Sequence, residues 1–332
     1  MIGTIGIVLI AFAVLWFYGA ILAGIFAGER HVVVSDTSLQ GVEPFSLRKR
    51  FAAIGEAKVA YIDEGQGPAV LLLHGCPFQS YEWKDVIPLL SEKYRVIAPD
   101  LLGLGDTVVF QDADYRLPRQ MEMVLGLLDH LGIKHTHVVG HDHGGAIAQM
   151  LMKHHPERLL SVVLTNVEAY DQWPSNRERA DVELVVNPLT SPLFRIAITI
   201  KPLQRWIYRI AVAEQKTLTD DVLFAFVRPH ISSTRRWRRL RRFLRWQLDR
   251  EHNSETLRVV DGLRAFTKPT LLLWGGLDQN FDLDIARRLE KDIPGVVRLV
   301  ALEKSAHLPM LEQPQLYGTS LLAFLNDTQK SS

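Results

Sequence analysis

Residues 138–145 read Val-Val-Gly-His-Asp-His-Gly-Gly and stand between an apolar run and a stretch with helical spacing. The apolar run predicts a buried strand, and residues 146–155 predict a helix. Glycines at positions 140 and 144 allow the chain to turn sharply between the two elements. This pattern is typical of a nucleophile elbow, a strand-to-helix turn that presents one side chain above a sheet. The side chain presented here is Asp142.

A carboxylate at this position changes the chemistry that the turn can support. Asp142 is ionised at neutral pH and needs no base to deprotonate it. A carboxylate can displace a leaving group from saturated carbon and form an ester on the protein, whereas ester or amide cleavage usually needs an activated hydroxyl or thiol. Two alternatives remain open, namely an acidic residue without a catalytic role in a glycine-rich turn and a hydrolase that has lost its activity.

Two candidate partners follow in the order nucleophile, acid, histidine, with Asp278 and then His307 each placed after a predicted strand. We assign His307 as the base that activates water. Asp278 is the group that holds the tautomer of the histidine and stabilises its cation. Asp282, Asp284 and Glu168 are alternative acids.

Residues 74–77, His-Gly-Cys-Pro, close the predicted strand 69–73, where a turn of this type supplies a backbone N–H to an oxyanion hole. We assign the N–H groups of Cys76 and His143 to this hole. They would hold the Asp142 carboxylate first and then stabilise the oxyanion that forms when water attacks the ester. The Cys76 thiol is an alternative nucleophile, but it lies outside the elbow.

Short apolar runs alternate with helical stretches along most of the chain, which predicts an α/β fold with a mostly parallel sheet flanked by helices. The pattern becomes helical and aromatic after residue 166 and resumes its strands near residue 269. We therefore predict hydrolase core at 49–166 and 265–328. A helical cap, 167–264, would lie over the carboxyl ends of the strands, where open α/β sheets bind ligands.

Residues 1–28 contain no charged side chain and can span a bilayer core of about 30 Å. We predict an uncleaved N-terminal transmembrane helix followed by a linker, 29–48. A cleaved signal peptide and a buried terminal helix are the alternatives. Basic residues follow the span and none precede it, which favours a cytoplasmic catalytic domain; they are Arg30, Arg48, Lys49 and Arg50.

The overall composition narrows the class of protein. The chain has 332 residues, of which 47% are hydrophobic and 23% charged, so it can bury one large core. A net charge of +1 gives no general attraction to nucleic acid. One cysteine, Cys76, excludes an internal disulfide framework.

The predicted cap contains a strongly basic helix, Arg235–Arg245, with seven arginines around four apolar residues. The apolar residues gather on one side of such a helix and the arginines cover the rest. The helix is therefore either a solvated cap element whose arginines meet local acids or a contact for anionic lipid head groups.

Residues 49–325 resemble the aspartate-nucleophile branch of the α/β-hydrolase superfamily, which contains epoxide hydrolases and haloalkane dehalogenases. Residues 74–77 look like the HGxP motif of epoxide hydrolases, and residues 140–145 look like their GHDxGG elbow. Residues 100–105 also resemble a family loop. The resemblance implies catalysis by an aspartate ester, with no metal or organic cofactor.

The sequence departs from both families where the leaving group is bound. Haloalkane dehalogenases commonly place a tryptophan after the nucleophile as a halide donor, but this chain has His143. Epoxide hydrolases use two cap tyrosines, and the only tyrosines of the predicted cap are Tyr170 and Tyr208, neither of them late in it. Tyr170 and Trp173 could supply a phenol and an indole N–H to the leaving group. Trp173 and Tyr208 could instead pack the cap against the core.

The sequence therefore predicts a hydrolase in which Asp142 opens an epoxide and His307 with Asp278 drives hydrolysis of the ester. A small apolar substrate that partitions into the membrane is expected, with His74, Tyr170, Trp173 and Tyr208 as candidate contacts. Three alternatives stay open: a haloalkane dehalogenase-like enzyme, an ester or carbon–carbon bond hydrolase that uses the aspartate as a base, and a disabled membrane-bound binding protein.

Overall fold

The computed structural model describes residues 42–110, 113–172, 176–249 and 254–330. One nine-stranded sheet runs through this part of the chain in the order β1-β2-β4-β3-β6-β7-β8-β9, with β5 paired to β2. The strands are β1 (Arg50–Ile54), β2 (Ala57–Glu64), β3 (Ala69–Leu73), β4 (Arg95–Pro99), β5 (Val108–Val109), β6 (Thr136–Asp142), β7 (Leu159–Val167), β8 (Thr270–Gly275) and β9 (Val296–Leu302).

The sheet is parallel from β4 through β3, β6, β7 and β8 to β9, and β2 pairs antiparallel with β1, β4 and β5. Every residue of β3, β6 and β8 is buried. Alternate residues of β3 enter different apolar clusters, Leu71 and Leu73 in one and Val70 and Leu72 in the other. Because successive strand residues face opposite sides, both faces of the sheet are covered. The predicted mostly parallel sheet with flanking helices is confirmed.

The helices fall into two groups along the chain, those that flank the sheet and those that form the inserted segment between β7 and β8. The flanking helices are α1 (Val42–Leu47), α2 (Ile87–Ser91), α3 (Leu117–His130), α4 (His143–His154), α12 (Leu283–Asp292), α13 (Pro309–Glu312) and α14 (Pro314–Lys330). The inserted helices are α5 (Asn176–Val186), α6 (Ser191–Ala197), α7 (Lys201–Tyr208), α8 (Asp220–Ile231), α9 (Thr234–Leu248), α10 (Glu255–Arg258) and α11 (Val260–Ala265).

The basic helix α9 attaches the inserted segment to the core. Arg239 donates to the carbonyl oxygens of Thr107 at 2.7 Å and Gly105 at 2.9 Å. Arg236 lies 3.6 Å from Asp106, the kind of acid pairing expected from the sequence. The hydrogen bonds from Arg239 to backbone carbonyls are thus shorter than the distance between Arg236 and Asp106.

The N-terminal boundary of the folded body differs from the predicted linker. Residues 42–47 form α1, and Phe45 is only 3% exposed, with its ring 5.1 Å from that of Tyr81. The linker prediction is therefore wrong for residues 42–47, because burial of this aromatic ring ties them to the core. The predicted membrane span, residues 1–28, lies outside the described residues. No helix within the described ranges is long and apolar enough to cross a membrane.

A buried ion cluster joins the start of β1 to the turn after β4. Lys49 Nζ lies 2.7 Å from Asp100 Oδ2 and 2.9 Å from Asp106 Oδ2. Asp100 Oδ1 also accepts from the backbone and the hydroxyl of Ser80. Burial alone would raise the pKa of Asp100, but the Lys49 charge and these hydrogen bonds outweigh it and lower the pKa to about 2.

Removing this carboxylate should destabilise the fold. We expect Asp100→Asn to lower the free energy of unfolding by about 3–5 kcal/mol in urea titrations, because it takes the main counter-charge from a buried ammonium. The pKa of Asp100 falls from 3.8 to about 2 on folding, so its stabilisation is present above pH 3.8 and is lost as pH falls through that window. Asp114→Asn, which breaks the exposed pair with Arg116, is the control and should change stability by less than about 1 kcal/mol. Equal effects of the two variants would contradict the prediction.

Candidate active site

Asp142 ends β6 and caps α4 in a strained turn. Its φ is 50° and its ψ −117°, and the register of β6 with β7 shifts between His141 and Asp142. Such backbone conformations persist where the surrounding structure enforces them. A Cβ at Gly144 would lie 2.2 Å from the Leu73 carbonyl oxygen, so a larger residue there would push the turn off the sheet.

One oxygen of the Asp142 carboxylate is held by two backbone N–H groups. Oδ1 accepts from Cys76 N and from His143 N, both at 2.6 Å. These are the two N–H groups assigned from the sequence. His143 is the first residue of α4, so the positive end of the helix dipole also faces this oxygen.

The second oxygen, Oδ2, is in a different situation. It has no hydrogen-bond partner in the described part of the chain and lies 3.5 Å from His307 Nε2. Burial alone would raise the pKa of Asp142, but the nearby His307 and the Cys76 N–H outweigh burial and lower the pKa. Asp142 is thus an ionised carboxylate with one oxygen fixed and one oxygen available.

His307 is paired with Asp278, as assigned. Its Nδ1 lies 2.8 Å from Asp278 Oδ2, and both residues are buried. Burial disfavours the imidazolium, but Asp278 and Asp142 together raise the pKa of His307 well above its ordinary value. None of the alternative acids takes this place: Asp282 accepts from the backbone N–H of Asp284 and caps α12, Asp284 pairs with Arg287, and Glu168 lies 3.0 Å from His143.

Asn166 is a site residue that the sequence analysis missed. It follows Thr165 in β7 with a φ of 43°, a left-handed conformation that asparagine tolerates better than most residues. Its Nδ2 donates to Asp278 Oδ2 at 2.9 Å, and its Oδ1 accepts from Gly275 N at 2.8 Å. Asn166 therefore holds the carboxylate that orients His307. A polar residue next to the end of a buried strand was the available signal.

Glu82 and His141 form a second missed element. Glu82 lies in a 3₁₀ segment, Ser80–Trp83, and its two oxygens are each 3.3 Å from Gly75 N. His141 Nδ1 is 3.2 Å from Glu82 Oε1, and His141 Nε2 donates to the His307 carbonyl oxygen at 2.8 Å. This fully buried chain of contacts ties the oxyanion turn, the elbow and the histidine loop to one another.

Two of the four predicted substrate contacts have their polar atoms bonded within the protein. His74 donates from Nδ1 to the Gly75 carbonyl at 2.7 Å and accepts at Nε2 from Leu101 N at 2.9 Å, so both ring nitrogens bond the backbone. The Tyr170 hydroxyl donates to Asp292 Oδ2 at 2.9 Å. Trp173 lies outside the described residues.

Tyr208 remains a candidate substrate contact. It is 7% exposed, and its ring is 6.4 Å from that of Phe78, which is in turn 6.1 Å from the His307 ring. Its hydroxyl makes no hydrogen bond to any residue that the structure describes. Burial first, and then the neighbouring Cys76, raise the pKa of the phenol, so it stays protonated.

The walls around the carboxylate are aromatic. Phe281 lies 5.7 Å from the His307 ring and Phe243 of α9 lies 5.3 Å from the His143 ring. Asp142 is completely buried in this conformation and His307 is 3% exposed. Aromatic walls of this kind favour an apolar ligand. Within the described ranges, no group of three His, Cys, Asp or Glu side chains could hold a metal ion.

Two neighbouring glycines before the histidine loop differ in the room that they leave for a side chain, and substitutions there should differ in effect. A Cβ at Gly275 would lie 1.7 Å from the Ala306 carbonyl oxygen, whereas one at Gly276 would meet nothing closer than 3.5 Å. We expect Gly275→Ala to lower the free energy of unfolding by about 1–3 kcal/mol and to reduce turnover, because the loop carrying His307 must shift. Gly276→Ala should stay within about 0.5 kcal/mol of the parent. Urea titration and steady-state kinetics test this, and an unaffected Gly275→Ala variant would contradict it.

The arrangement is that of an α/β hydrolase. The sequence pattern of the alpha/beta hydrolase fold family matches residues 68–314, about three quarters of the chain, and the chain therefore belongs to this family. Its relatives include haloalkane dehalogenase 2 of Mycobacterium tuberculosis, 26% identical over 84% of this chain and 95% of the relative. The soluble epoxide hydrolase of Corynebacterium sp. is 41% identical over 97 residues, 29% of this chain and 34% of the relative.

A solved structure shows the same fold. Haloalkane dehalogenase DbeA from Bradyrhizobium elkani matches with a TM-score of 0.72 at 22% identity, over 86% of this chain and 99% of the dehalogenase. The fold and these relatives support a hydrolase.

Proposed function

We propose that this chain is an aspartate-nucleophile hydrolase that opens epoxides, with Asp142, His307 and Asp278 as its catalytic residues. The observation that carries the proposal is that the two oxygens of the Asp142 carboxylate have different surroundings. Oδ1 is held by two backbone N–H groups, and Oδ2 is left without a partner among the described residues, beside His307. This is the geometry needed by a carboxylate that attacks carbon.

In the first step Oδ2 attacks an epoxide carbon, the carbon–oxygen bond of the ring breaks and an ester forms on Asp142. The oxygen released from the ring must take up a proton. The buried, protonated phenol of Tyr208 is the proposed donor, because its hydroxyl bonds no described residue and Phe78 contacts both this ring and His307.

Ester formation also prepares the second step. The Asp142 charge helps to raise the pKa of His307, so losing that charge lowers the pKa and favours the neutral imidazole. Neutral His307 can then take a proton from water as the water attacks the ester carbon. The oxyanion that develops lies on Oδ1, which the N–H groups of Cys76 and His143 already hold. Its collapse breaks the bond between the carboxyl carbon and Oδ2, and the departing alcohol oxygen takes the proton from His307.

Haloalkane dehalogenation is the second candidate, favoured by the dehalogenase relative that matches over nearly its full length. It would use Asp142 and His307 in the same way. Against it, the indole N–H groups of Trp237 and Trp274 donate to Ser191 and to the Phe281 carbonyl. Neither of these two indoles is therefore available to a halide.

The location of the protein is part of the proposal. The uncharged apolar segment 1–28 would anchor the chain in the bilayer, with the hydrolase body on the cytoplasmic side and a small apolar substrate arriving from the membrane. Helix α9 exposes Arg235, Arg238 and Arg245, which could meet anionic head groups. Alkaline carbonate extraction of membranes should leave the full chain in the pellet, and its release would contradict the anchor.

Intact-protein mass spectrometry of the full-length His307→Gln variant tests the chemistry. Blocking hydrolysis should let the ester accumulate after exposure to a mixture of terminal epoxides and bromoalkanes. An adduct with the whole mass of the epoxide supports epoxide opening, and one that lacks hydrogen bromide supports dehalogenation. Adding Asp142→Asn should abolish either adduct. No adduct from the folded variant would reject the aspartate ester and favour an ester or carbon–carbon bond hydrolase, or a disabled binding protein.

A further inference from the structure

Glu168 is a buried carboxyl group beside the nucleophile that the proposed reaction does not use. It is fully buried directly after β7, and its backbone N–H lies 3.4 Å from the Asp142 carbonyl oxygen. Its Oε1 lies 3.0 Å from His143 Nδ1. Its Oε2 has no hydrogen-bond partner across the described ranges. A charged carboxylate in this position would carry an unsatisfied, desolvated oxygen next to a second carboxylate.

Burial favours the neutral form of both members of the pair. Burial first, and then the Asp142 charge, raise the pKa of Glu168 well above its ordinary value, while the His307 charge opposes this. Burial lowers the pKa of His143 to about 4, against a smaller opposite effect of Asp142. A neutral imidazole carries one N–H, and its other nitrogen accepts. A protonated carboxyl group next to Nδ1 donates to it, which leaves the ring proton on Nε2.

We propose that Glu168 is a positioning residue whose O–H fixes His143 as the Nε2–H tautomer, so that the residue after the nucleophile presents an N–H donor. The ligand of this donor is the electronegative atom that leaves the substrate carbon, an epoxide oxygen or a halide. The choice of ligand rests on the proposed function, whereas the tautomer does not. The pair would thereby supply a donor where dehalogenases commonly have an indole.

A spectroscopic measurement tests the tautomer without any substrate. In the full-length protein labelled with ¹⁵N-histidine, His143 should give the nitrogen shifts of a neutral Nε2–H ring at pH 7. Glu168→Gln should preserve them, because an amide N–H also donates to Nδ1. Glu168→Met, which removes the donor while retaining bulk, should shift the ring toward the other tautomer. An Nδ1–H ring or an imidazolium in the parent protein would overturn the proposal.

A kinetic measurement tests the effect on the leaving group. In the His307→Gln background, Glu168→Met should slow ester formation about 100-fold, the effect of losing one donor to a developing charge. Glu168→Gln should restore most of the rate. With Glu168 intact, ester formation should fall as pH rises through the Glu168 pKa, and with glutamine that loss should disappear. The ionisable groups that influence Glu168 are Asp142, His143 and His307.

The possible failures are distinguishable. If no ester forms in the His307→Gln background although the nitrogen shifts are as expected, the proposed function fails and the tautomer assignment stands. If ester forms but Glu168→Gln is as slow as Glu168→Met, Glu168 acts as a carboxylate and the inference is overturned.

Discussion

In the Asp142→Asn variant we expect a folded protein whose kcat/KM is lower by about four orders of magnitude or more, the usual size of the loss when a nucleophile is removed. The amide oxygen can still accept from Cys76 N and His143 N, so the turn should be preserved. The other position then carries a neutral amide nitrogen, which cannot attack carbon. Steady-state kinetics measure the loss of kcat/KM, and circular dichroism shows whether the variant is folded.

Isotope labelling separates a nucleophile from a base. In a single turnover in H₂¹⁸O the product should contain no label, because the transferred oxygen comes from Asp142, and the label should appear in that carboxylate. Label in the first product would show that water attacks the substrate directly with Asp142 as a base. Asp284→Asn, at an exposed position paired with Arg287, is the matched control and should retain full activity.

The second large effect is expected for Asp278→Asn, where ester hydrolysis should slow by about 10⁴-fold, because the amide can favour the wrong histidine tautomer. Ester formation uses Asp142 and the donors to the leaving atom but not Asp278, so the ester should accumulate in this variant. Asp278 raises the pKa of His307, and its removal should therefore lower that pKa. The base is active only when neutral, so the acid limb of the hydrolysis profile should move to lower pH while its plateau falls.

Rapid-quench mass spectrometry across pH measures this second effect. Asp282→Asn is the control, since asparagine also caps helices and the side chain accepts only from the backbone at the start of α12. Activity of that variant should match the parent. If Asp278→Asn hydrolyses the ester as fast as the parent while a change at Glu168 abolishes hydrolysis, the acid has been assigned to the wrong residue.

Some residues of the site could be predicted from local sequence pattern and from their order along the chain. The elbow could be placed because a buried strand, a glycine-flanked acid and a helix follow one another within residues 136–155. Asp278 and His307 could be placed because each follows a strand whose carboxyl end lies at the same edge of a parallel sheet.

The contacts that could not be predicted join residues far apart in the chain. Glu82 and His141 are separated by 59 positions, and Asn166 and Asp278 by 112. Nothing in either local sequence specifies the other member, because these pairs depend on how the strands and turns pack. For the same reason the sequence does not reveal the backbone partners of His74 or the bond from Tyr170 to Asp292.

The sequence by itself determined the α/β class, the turn that presents Asp142 and the order of its partners, because periodicity and strand-to-helix signals are local. Only the tertiary structure decided that one oxygen of Asp142 is held while the other has no described partner, and that Glu168 meets His143 and not His307. Hydrogen-bond partners and burial depend on side chains brought together from distant strands, and burial in turn sets which carboxyl groups keep their protons.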